Sequence, residues 1–458
     1  MPATASKLVD LFRQRTPTSE KLAAQARELF PSGVTHDGRH LKPYPIYIER
    51  AEGPCKWDVD GNQYVDYFGG HGALLLGHNH PQVIAAAQQQ LACGTHYAAC
   101  HEWEMRWAEV VQRLLPAAER LRFTSSGTEA ASLGFRLARA FTGKSKILRF
   151  LTNFHGWQDE VAFGVDAHHD GTATPGVPPE LANNTVLCRP GDIDQVERVL
   201  AEDRDIAAVI LEPTGSSFGR IAVPESFLHT LREVTERHQV LLIFDEVISG
   251  FRCSPGGAQA AFGIRPDLTI LAKILAGGLP GGAVAGRRDI LDRLDHYAAA
   301  ENGWEKIVHP GTFNANPLSA AAGATALQIV EETDACQRAN DYAARLRERM
   351  NQVVQDAQLD WCVYGTYSGF HIYTNPDHDT VTPEDLQEGQ YDYRKTLAAF
   401  QSPLAGKIRF GLLAFGVDTF GWPGGVVSST HGEEELNRTV EAFGQMIEIF
   451  KADGTILT

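Results

Sequence analysis

The chain has 458 residues, of which 43% are hydrophobic and 21% charged, and its formal net charge at pH 7 is −16. This length predicts more than one domain, and the acidic balance argues against binding to nucleic acid, which requires a basic surface. No run approaches the roughly 18 apolar residues of a membrane span. The seven cysteines are scattered along the chain, which is typical of reduced thiols in a cytoplasmic protein.

The first 75 residues combine a helical pattern with an extended one. Apolar residues recur at helical spacing from about Ser6 to Phe30, which predicts a helix. From Ile46 to Tyr67 the pattern alternates around residues 58–62, which are typical of a hairpin turn. We expect residues 1–75 to pack with the C-terminal domain.

Helical and extended patterns alternate between residues 76 and 325. The short apolar strands that we expect are Lys146–Phe150, Ala207–Leu211, Val240–Phe244, Leu268–Leu271 and Ala283–Ala285. This alternation predicts a large α/β domain with a mostly parallel sheet covered by helices. The Gly- and Pro-rich stretch from Asp170 to Asn184 is typical of a loop.

The sequence pattern changes after Leu318. A long helical pattern covers Arg338–Val354, and short strands with hairpin-like turns are expected through Tyr364–Tyr373 and Lys407–Val417. An amphipathic helix over Glu433–Phe450 closes the chain. We therefore expect a smaller α+β domain over residues 326–458.

Two apolar runs are each followed by a residue with an ionisable side chain. The run Leu241–Phe244 is followed by Asp245, and the run Leu268–Ala272 is followed by Lys273. At the tips of two buried parallel strands, an acid and a lysine can face one pocket. Enzymes that use pyridoxal 5′-phosphate (PLP) need this pair, because the lysine forms a Schiff base and the acid keeps the pyridinium nitrogen charged. A surface lysine and a capping acid would explain either segment taken singly.

A third segment has the features of an anion site. Ser126, Gly127 and Thr128 precede a stretch with Leu133 and Leu137 at helical spacing, so they lie at a helix N-terminus. Free backbone N–H groups and the helix dipole attract a phosphate there. An ordinary N-cap box, with Ser or Thr followed by Glu, is the alternative. Beside the lysine and the acid, the phosphate site is the better interpretation.

Nine segments resemble, in family order, the class III PLP-dependent aminotransferases of the type I fold, and their sub-pattern resembles the glutamate-1-semialdehyde aminomutase group. The segments are Trp57–Asn62, Leu76–Pro81, Ser126–Ala130, Phe154–Gly156, Asp245–Val247, Gly250–Arg252, Pro266–Leu268, Lys273 and Gly311–Pro317. Within that group, the chain is most similar to D-phenylglycine aminotransferases in residues 68–74, 139–143, 155–157 and 248–252. The resemblance implies a large domain with a mostly parallel sheet and a smaller α+β domain.

The resemblance also implies which residues bind the cofactor. Lys273 is expected to form the Schiff base, Asp245 to pair with the ring nitrogen, and Phe154 and Val247 to pack on the two faces of the ring. The remaining residues expected at the cofactor are Ser126, Gly127 and Thr128 at the phosphate, His155 beside the ring, and Thr312, which would reach the phosphate of the neighbouring protomer. The role expected of Thr312 implies a homodimer with shared active sites.

Substrate recognition is expected from two further positions. Arg39 resembles the arginine that binds the substrate carboxylate, and its fork of N–H donors matches carboxylate geometry. Its surroundings depart from the aminomutase pattern, in which a Ser-Pro-Val stretch precedes the arginine. Ser217 stands where the phenylglycine enzymes have a histidine. Trp157, Tyr44 and His71 could build an aromatic pocket or could equally belong to the core.

These features predict an aminotransferase that works in two half-reactions. The expected donor is an aromatic amino acid, with D-phenylglycine as one option, and the expected acceptor is a keto acid such as 2-oxoglutarate. The alternatives are a glutamate-1-semialdehyde 2,1-aminomutase, a β-amino acid transaminase, a PLP racemase or decarboxylase, and a non-enzymatic binding protein.

Two pairs of histidines, His78 with His80 and His168 with His169, raise the question of a metal site. No cysteine or carboxylate constellation accompanies either pair in the sequence. We therefore expect no metal.

Overall fold

The computed structural model describes residues 4–456, which divide into two compact units. The first unit contains the residues up to His80, Arg338–Glu384 and the residues from Arg394 onward. The second contains Pro81–Gln337 and Asp385–Tyr393. Within the described residues, no helix is both long enough and apolar enough to cross a membrane. The expected domain limits, 1–75, 76–325 and 326–458, stay a prediction.

The described residues form short strands and many helices. The strands are β1 (Ile48–Glu52), β2 (Cys55–Asp58), β3 (Gln63–Asp66), β4 (Arg120–Thr124), β5 (Lys146–Phe150), β6 (Thr185–Cys188), β7 (Ile206–Leu211), β8 (Leu241–Asp245), β9 (Leu268–Ala272), β10 (Gly282–Gly286), β11 (Cys362–Tyr364), β12 (Gly369–Tyr373), β13 (Val417–Asp418) and β14 (Gly424–Val426). The α-helices are α1 (Thr4–Arg15), α2 (Pro17–Leu29), α3 (Gly69–Gly72), α4 (Pro81–Cys93), α5 (Glu102–Leu114), α6 (Gly127–Thr142), α7 (Pro179–Ala182), α8 (Ile193–Glu202), α9 (Ser216–Gly219), α10 (Glu225–Arg237), α11 (Gly257–Phe262), α12 (Arg288–Leu291), α13 (His296–Asn302), α14 (Pro317–Glu332), α15 (Ala335–Asp356), α16 (Pro383–Gln387), α17 (Tyr393–Gln401), α18 (Pro403–Ala414) and α19 (Glu433–Ala452). Short 3-10 helices cover Pro31–Gly33, Asp37–Arg39, Lys273–Ala276 and Asp292–Leu294.

The second unit is built on a seven-stranded sheet in the order β4-β10-β9-β8-β7-β5-β6. Strand β10 runs antiparallel to both of its neighbours, and the other pairs are parallel. On one face of the sheet, Ile243 and Ile270 pack against α6. On the other face, Leu242 and Phe244 pack against α8 and α10. Burial on both faces explains why these strands are continuous apolar runs.

The five strands expected in this region are confirmed to within one residue at each end. Strands β4 and β6 were not expected. They are the two edges of the sheet, and most of their residues are only partly buried. A strand with one open edge needs no continuous apolar run, so its signal is weaker. The expected loop from Asp170 to Asn184 contains the one-turn helix α7.

In the first unit, the single helix expected up to Phe30 is wrong, because the chain forms α1 and α2. The two helices separate at Thr16, whose backbone is not helical, and Pro17 starts the second one. Proline is favoured at the first position of a helix and disfavours helical geometry in the residue before it. The expected hairpin is confirmed: β2 and β3 pair antiparallel, with the turn between Asp58 and Gln63.

The C-terminal elements are mostly as expected. Helices α15 and α19 and the β11–β12 hairpin are confirmed. The strands expected through Lys407–Val417 are wrong, because residues 403–414 form α18. Ser402 caps this helix by accepting a hydrogen bond from the Ala405 amide, and Pro403 occupies its first position. Ile408 and Leu412 then fall four residues apart on a buried helical face.

Candidate active site

Three ionisable side chains stand where neighbouring strands of the large sheet end. Asp245 is the last residue of β8, Glu212 directly follows β7, and Lys273 directly follows β9. The strands are parallel and in register, with Leu211 opposite Phe244 and Asp245 opposite Ile270. The carboxyl ends of parallel strands are where open α/β sheets bind ligands. The structure therefore brings the predicted acid and lysine to one edge, together with a second acid.

Lys273 is partly buried and begins a short 3-10 helix with a positive φ of 55°. Burial lowers the pKa of its amine to about 8, although the charges of Asp245 and Glu212 oppose that shift. A neutral amine is the form that attacks a carbonyl carbon. The position therefore favours the neutral amine of Lys273 at mildly alkaline pH.

Asp245 is 5% exposed and is held from two sides. Its Oδ1 accepts a hydrogen bond from the Val247 amide at 3.1 Å, and its Oδ2 lies 2.7 Å from Nδ1 of His155. Burial lowers the pKa of His155, which keeps that ring neutral. Because the carboxylate can only accept, Nδ1 carries the proton and donates it. Asp245 is thus an oriented acceptor at the strand edge.

Glu212 is the site residue that our sequence analysis missed. It is 7% exposed, and burial together with the charge of Asp245 raises its pKa, whereas the hydrogen bonds that its oxygens accept from the Phe154 and Ser217 amides favour the ionised carboxylate. The charge of Lys273 acts in the opposite direction. The sequence did contain a signal for Glu212, because this acid directly follows a buried apolar strand, just as Asp245 is the last residue of another. The hydrogen bond from His155 to Asp245 had no such signal, because it depends on how a loop folds back onto the sheet.

Helix α6 begins beside the ends of β8 and β9. Ser126 caps it by accepting a hydrogen bond from the Glu129 amide at 3.2 Å, so the N-cap interpretation is correct for this side chain. The amides of Gly127 and Thr128 have no acceptor among residues 4–456. A Cβ added at Gly127 would lie 3.2 Å from Cγ2 of Val247 and 3.4 Å from Cβ of Ala272. Glycine thus lets the helix N-terminus, with its free donors, approach the strand ends closely.

Two predicted ring contacts differ in exposure. Phe154 is 52% exposed, so its side chain is not enclosed by the core. Val247 is partly buried and packs against the core between the sheet and α6. Trp157, three residues beyond Phe154, is 78% exposed. Thr312 is also exposed, and its carbonyl oxygen lies 2.5 Å from Nε2 of His96.

The first unit contains the predicted carboxylate ligand, Arg39. Its side chain is exposed and donates to the Thr35 hydroxyl at 2.9 Å. Arg39 and His71 line a cavity of about 490 Å³ in this unit. Tyr44 is core rather than pocket: it is 3% exposed, and its ring lies 5.1 Å from that of Phe12.

The family model described as Aminotransferase class-III matches residues 37–361. The chain belongs to this family. Class III aminotransferases are PLP-dependent, and this chain is therefore a PLP-dependent enzyme with the aminotransferase fold. The residues described above fit that cofactor. Two free amides at a helix N-terminus suit its phosphate, the oriented Asp245 suits its ring nitrogen, and Lys273 suits its aldehyde.

Individual relatives in the family carry different activities in their names. Glutamate-1-semialdehyde 2,1-aminomutase from Methanothrix thermoacetophila is 37% identical over 430 residues, which cover 93% of this chain and 95% of that protein. The structure of an ω-transaminase from Sphaerobacter thermophilus is 32% identical with a TM-score of 0.83, covering 94% of this chain and 97% of its own. That of a β-phenylalanine aminotransferase from Variovorax paradoxus is 27% identical with a TM-score of 0.84, covering 98% and 99%.

Proposed function

We propose that this class III aminotransferase transfers the amino group of an aromatic amino acid to a keto acid such as 2-oxoglutarate, in two half-reactions. The observation that carries the proposal is Lys273, an amine with a pKa of about 8 at the strand edge shared with Asp245 and Glu212. An amine with that pKa can both accept and return a proton near neutral pH.

Different residues of the chain have different proposed roles at the site. The cofactor, when bound, supplies an electron sink for the carbon that loses its proton. Lys273 would hold the cofactor through its aldehyde carbon, and its amine would carry the proton between substrate carbon and cofactor carbon. Asp245, oriented by His155 and the Val247 amide, pairs with the ring nitrogen.

The other cofactor contacts are proposed on the same basis. Ser126, Gly127 and Thr128 form the phosphate site at the start of α6, and Thr312 completes the phosphate site of a partner protomer in a homodimer. Phe154 and Val247 take the two faces of the ring, where a flat apolar surface suits a flat ring. The exposure of Phe154 and Thr312 supports these roles, because exposed residues can contact another group.

The substrate class follows from Arg39 and from the aromatic residues near the cofactor residues. The Arg39 guanidinium pairs with the substrate carboxylate, while Phe154 and Trp157, both exposed, offer surface to an aryl side chain. Similarity to a β-phenylalanine aminotransferase supports an aryl donor. Ser217, whose amide is bound to Glu212, lies at the same strand edge and is the second proposed substrate contact. The D configuration and a cytoplasmic location stay predictions.

A second candidate is a 2,1-aminomutase, which the names of the curated relatives favour. It moves an amino group within one molecule and needs no acceptor. The experiment offers the PLP-loaded enzyme D- and L-phenylglycine, β-phenylalanine or glutamate 1-semialdehyde, each with and without 2-oxoglutarate. Glutamate formation from an aryl donor only when the acceptor is present supports our proposal. Isomerisation of the semialdehyde without acceptor, and no transfer from aryl donors, would replace it with the aminomutase.

A further inference from the structure

Glu212 connects two separate segments of the second unit. Its Oε1 accepts a hydrogen bond from the Phe154 amide at 2.9 Å, and its Oε2 accepts one from the Ser217 amide, also at 2.9 Å. Its own backbone amide donates to Oδ1 of Asn153 at 2.9 Å. A carboxylate that accepts one backbone donor on each oxygen is fixed in position, and it fixes the donors in return.

The segment that contains Ser217 has a strained backbone. Gly215, Ser217, Phe218 and Gly219 have φ values of 85°, 51°, 61° and 86°. Two successive L-residues in the left-handed region are costly and persist only where neighbouring groups enforce the conformation. Here the Ser216 hydroxyl donates to the Thr152 carbonyl at 2.7 Å, and Glu212 binds the next amide.

Phe154 also depends on bonds made by its backbone. About half of its side chain is exposed, so the packing of the ring alone does not hold it. Glu212, at the end of β7, binds the Phe154 amide, and Asp245, at the end of β8, binds the side chain of the next residue, His155. Two neighbouring strand ends thus anchor two successive residues of one loop.

We propose that Glu212 is a positioning residue whose carboxylate holds Phe154 and the Gly215–Gly219 turn in place at the cofactor pocket. This inference rests on the proposed role of Phe154 against the cofactor ring. Glu212 need not touch cofactor or substrate in this role, because each of its oxygens acts through a backbone amide.

Two substitutions at Glu212 distinguish the effect of side-chain length from the effect of charge. Glu212→Asp keeps the charge but is one methylene too short to bind both amides. Glu212→Gln keeps the length but replaces one accepting oxygen with an NH2 group that faces a donor. We expect both variants to bind PLP roughly tenfold more weakly or worse, because a partly buried donor is left unpaired and its segment is no longer held. At saturating PLP, both should also change the visible circular dichroism of the bound cofactor.

Glu246→Gln is the matched control. Glu246 is a buried carboxylate at the end of the same sheet that accepts hydrogen bonds from the Ala258 amide at 2.6 Å and from Nε2 of Gln259 at 2.9 Å. We expect this variant to lower the melting temperature while leaving PLP affinity and dichroism at their wild-type values. A purely structural role of Glu212 would make its variants behave in the same way and would overturn the proposal.

The remaining outcomes are equally decisive. A wild-type signature in Glu212→Asp together with a changed one in Glu212→Gln would show that only the charge matters, and positioning would be refuted. Phe154→Leu tests the proposed function separately, because it removes the aromatic face but leaves the backbone bond. Unchanged PLP affinity in Phe154→Leu would refute the role of Phe154. Weaker binding in Phe154→Leu with wild-type binding in both Glu212 variants would refute only the inference.

Discussion

At Lys273, burial and neighbouring charge act against each other on one amine. Burial favours the neutral form, whereas Asp245 and Glu212 favour the charged form, and the balance places the pKa at about 8. A lysine fully exposed to water would be almost entirely protonated at pH 7. The two roles proposed for Lys273, nucleophile and proton carrier, both depend on this balance at the strand edge.

The pH dependence of cofactor capture tests this balance. With a pKa of about 8, the neutral fraction of Lys273 is about one-tenth at pH 7 and about nine-tenths at pH 9. We expect the rate at which the apo-enzyme bonds to PLP to rise several-fold over that interval and then level off. Asp245→Asn removes a charge that raises this pKa, so its midpoint should move to lower pH. Stopped-flow absorbance gives both midpoints, and a wild-type midpoint near pH 10 would contradict the assignment.

Arg39 allows a second test on a single residue. If its guanidinium pairs with the substrate carboxylate, Arg39→Gln should raise KM for the amino acid donor roughly tenfold or more and change kcat less. A matched amine that lacks the carboxylate should show no such effect. Arg50→Gln, which removes an arginine stacked 3.7 Å from the Trp57 ring, is the control. Equal KM values for the wild type and Arg39→Gln would exclude the role.

Among the secondary-structure elements, the buried strands were the ones that the sequence pattern predicted. Strands β5, β7, β8, β9 and β10 are enclosed by other strands or helices, so each is an apolar run that could be predicted, and Asp245 and Lys273 were found because they end such runs. The edge strands β4 and β6 lack the run and were missed. Helix α18 was misread as strands, although Ser402 and Pro403 mark its start. Contacts between a loop and a strand end, such as His155 with Asp245, need the folded chain.

The start of α6 is the element that the phosphate proposal depends on. In Gly127→Ala the added Cβ would meet Cγ2 of Val247 at 3.2 Å and push the helix N-terminus away from the strand ends. We expect PLP affinity to fall several-fold and competition by inorganic phosphate to weaken. Gly406→Ala is the control, because a Cβ there, in the middle of α18, meets nothing within 4 Å. It should raise the melting temperature slightly without affecting PLP. If PLP affinity and competition by phosphate were the same in Gly127→Ala as in the wild type, the phosphate would not bind at the start of α6.

For the whole molecule, the open question at the site is whether one chain is sufficient. Every predicted cofactor contact of the second unit except Thr312 lies at or next to the strand edge or the start of α6. Thr312 is exposed in the single chain, and among residues 4–456 only its carbonyl oxygen has a hydrogen-bond partner, His96. An exposed threonine has no structural reason to matter for cofactor binding unless a second copy brings its own pocket to it.

Mixed dimers decide this point. Lys273→Ala chains cannot bond to the cofactor, and Thr312→Ala chains should bind it several-fold more weakly. If Thr312 serves the partner's pocket, a dimer of one chain of each kind contains one pocket with both Lys273 and Thr312, so co-expression should restore wild-type PLP affinity in up to half of its sites. Co-expressing Thr312→Ala with the double variant Lys273→Ala/Thr312→Ala should restore none, since neither chain supplies the threonine. If Thr312 acts within its own chain, the first mixture also contains no complete pocket, and its affinity would stay at the value of Thr312→Ala alone.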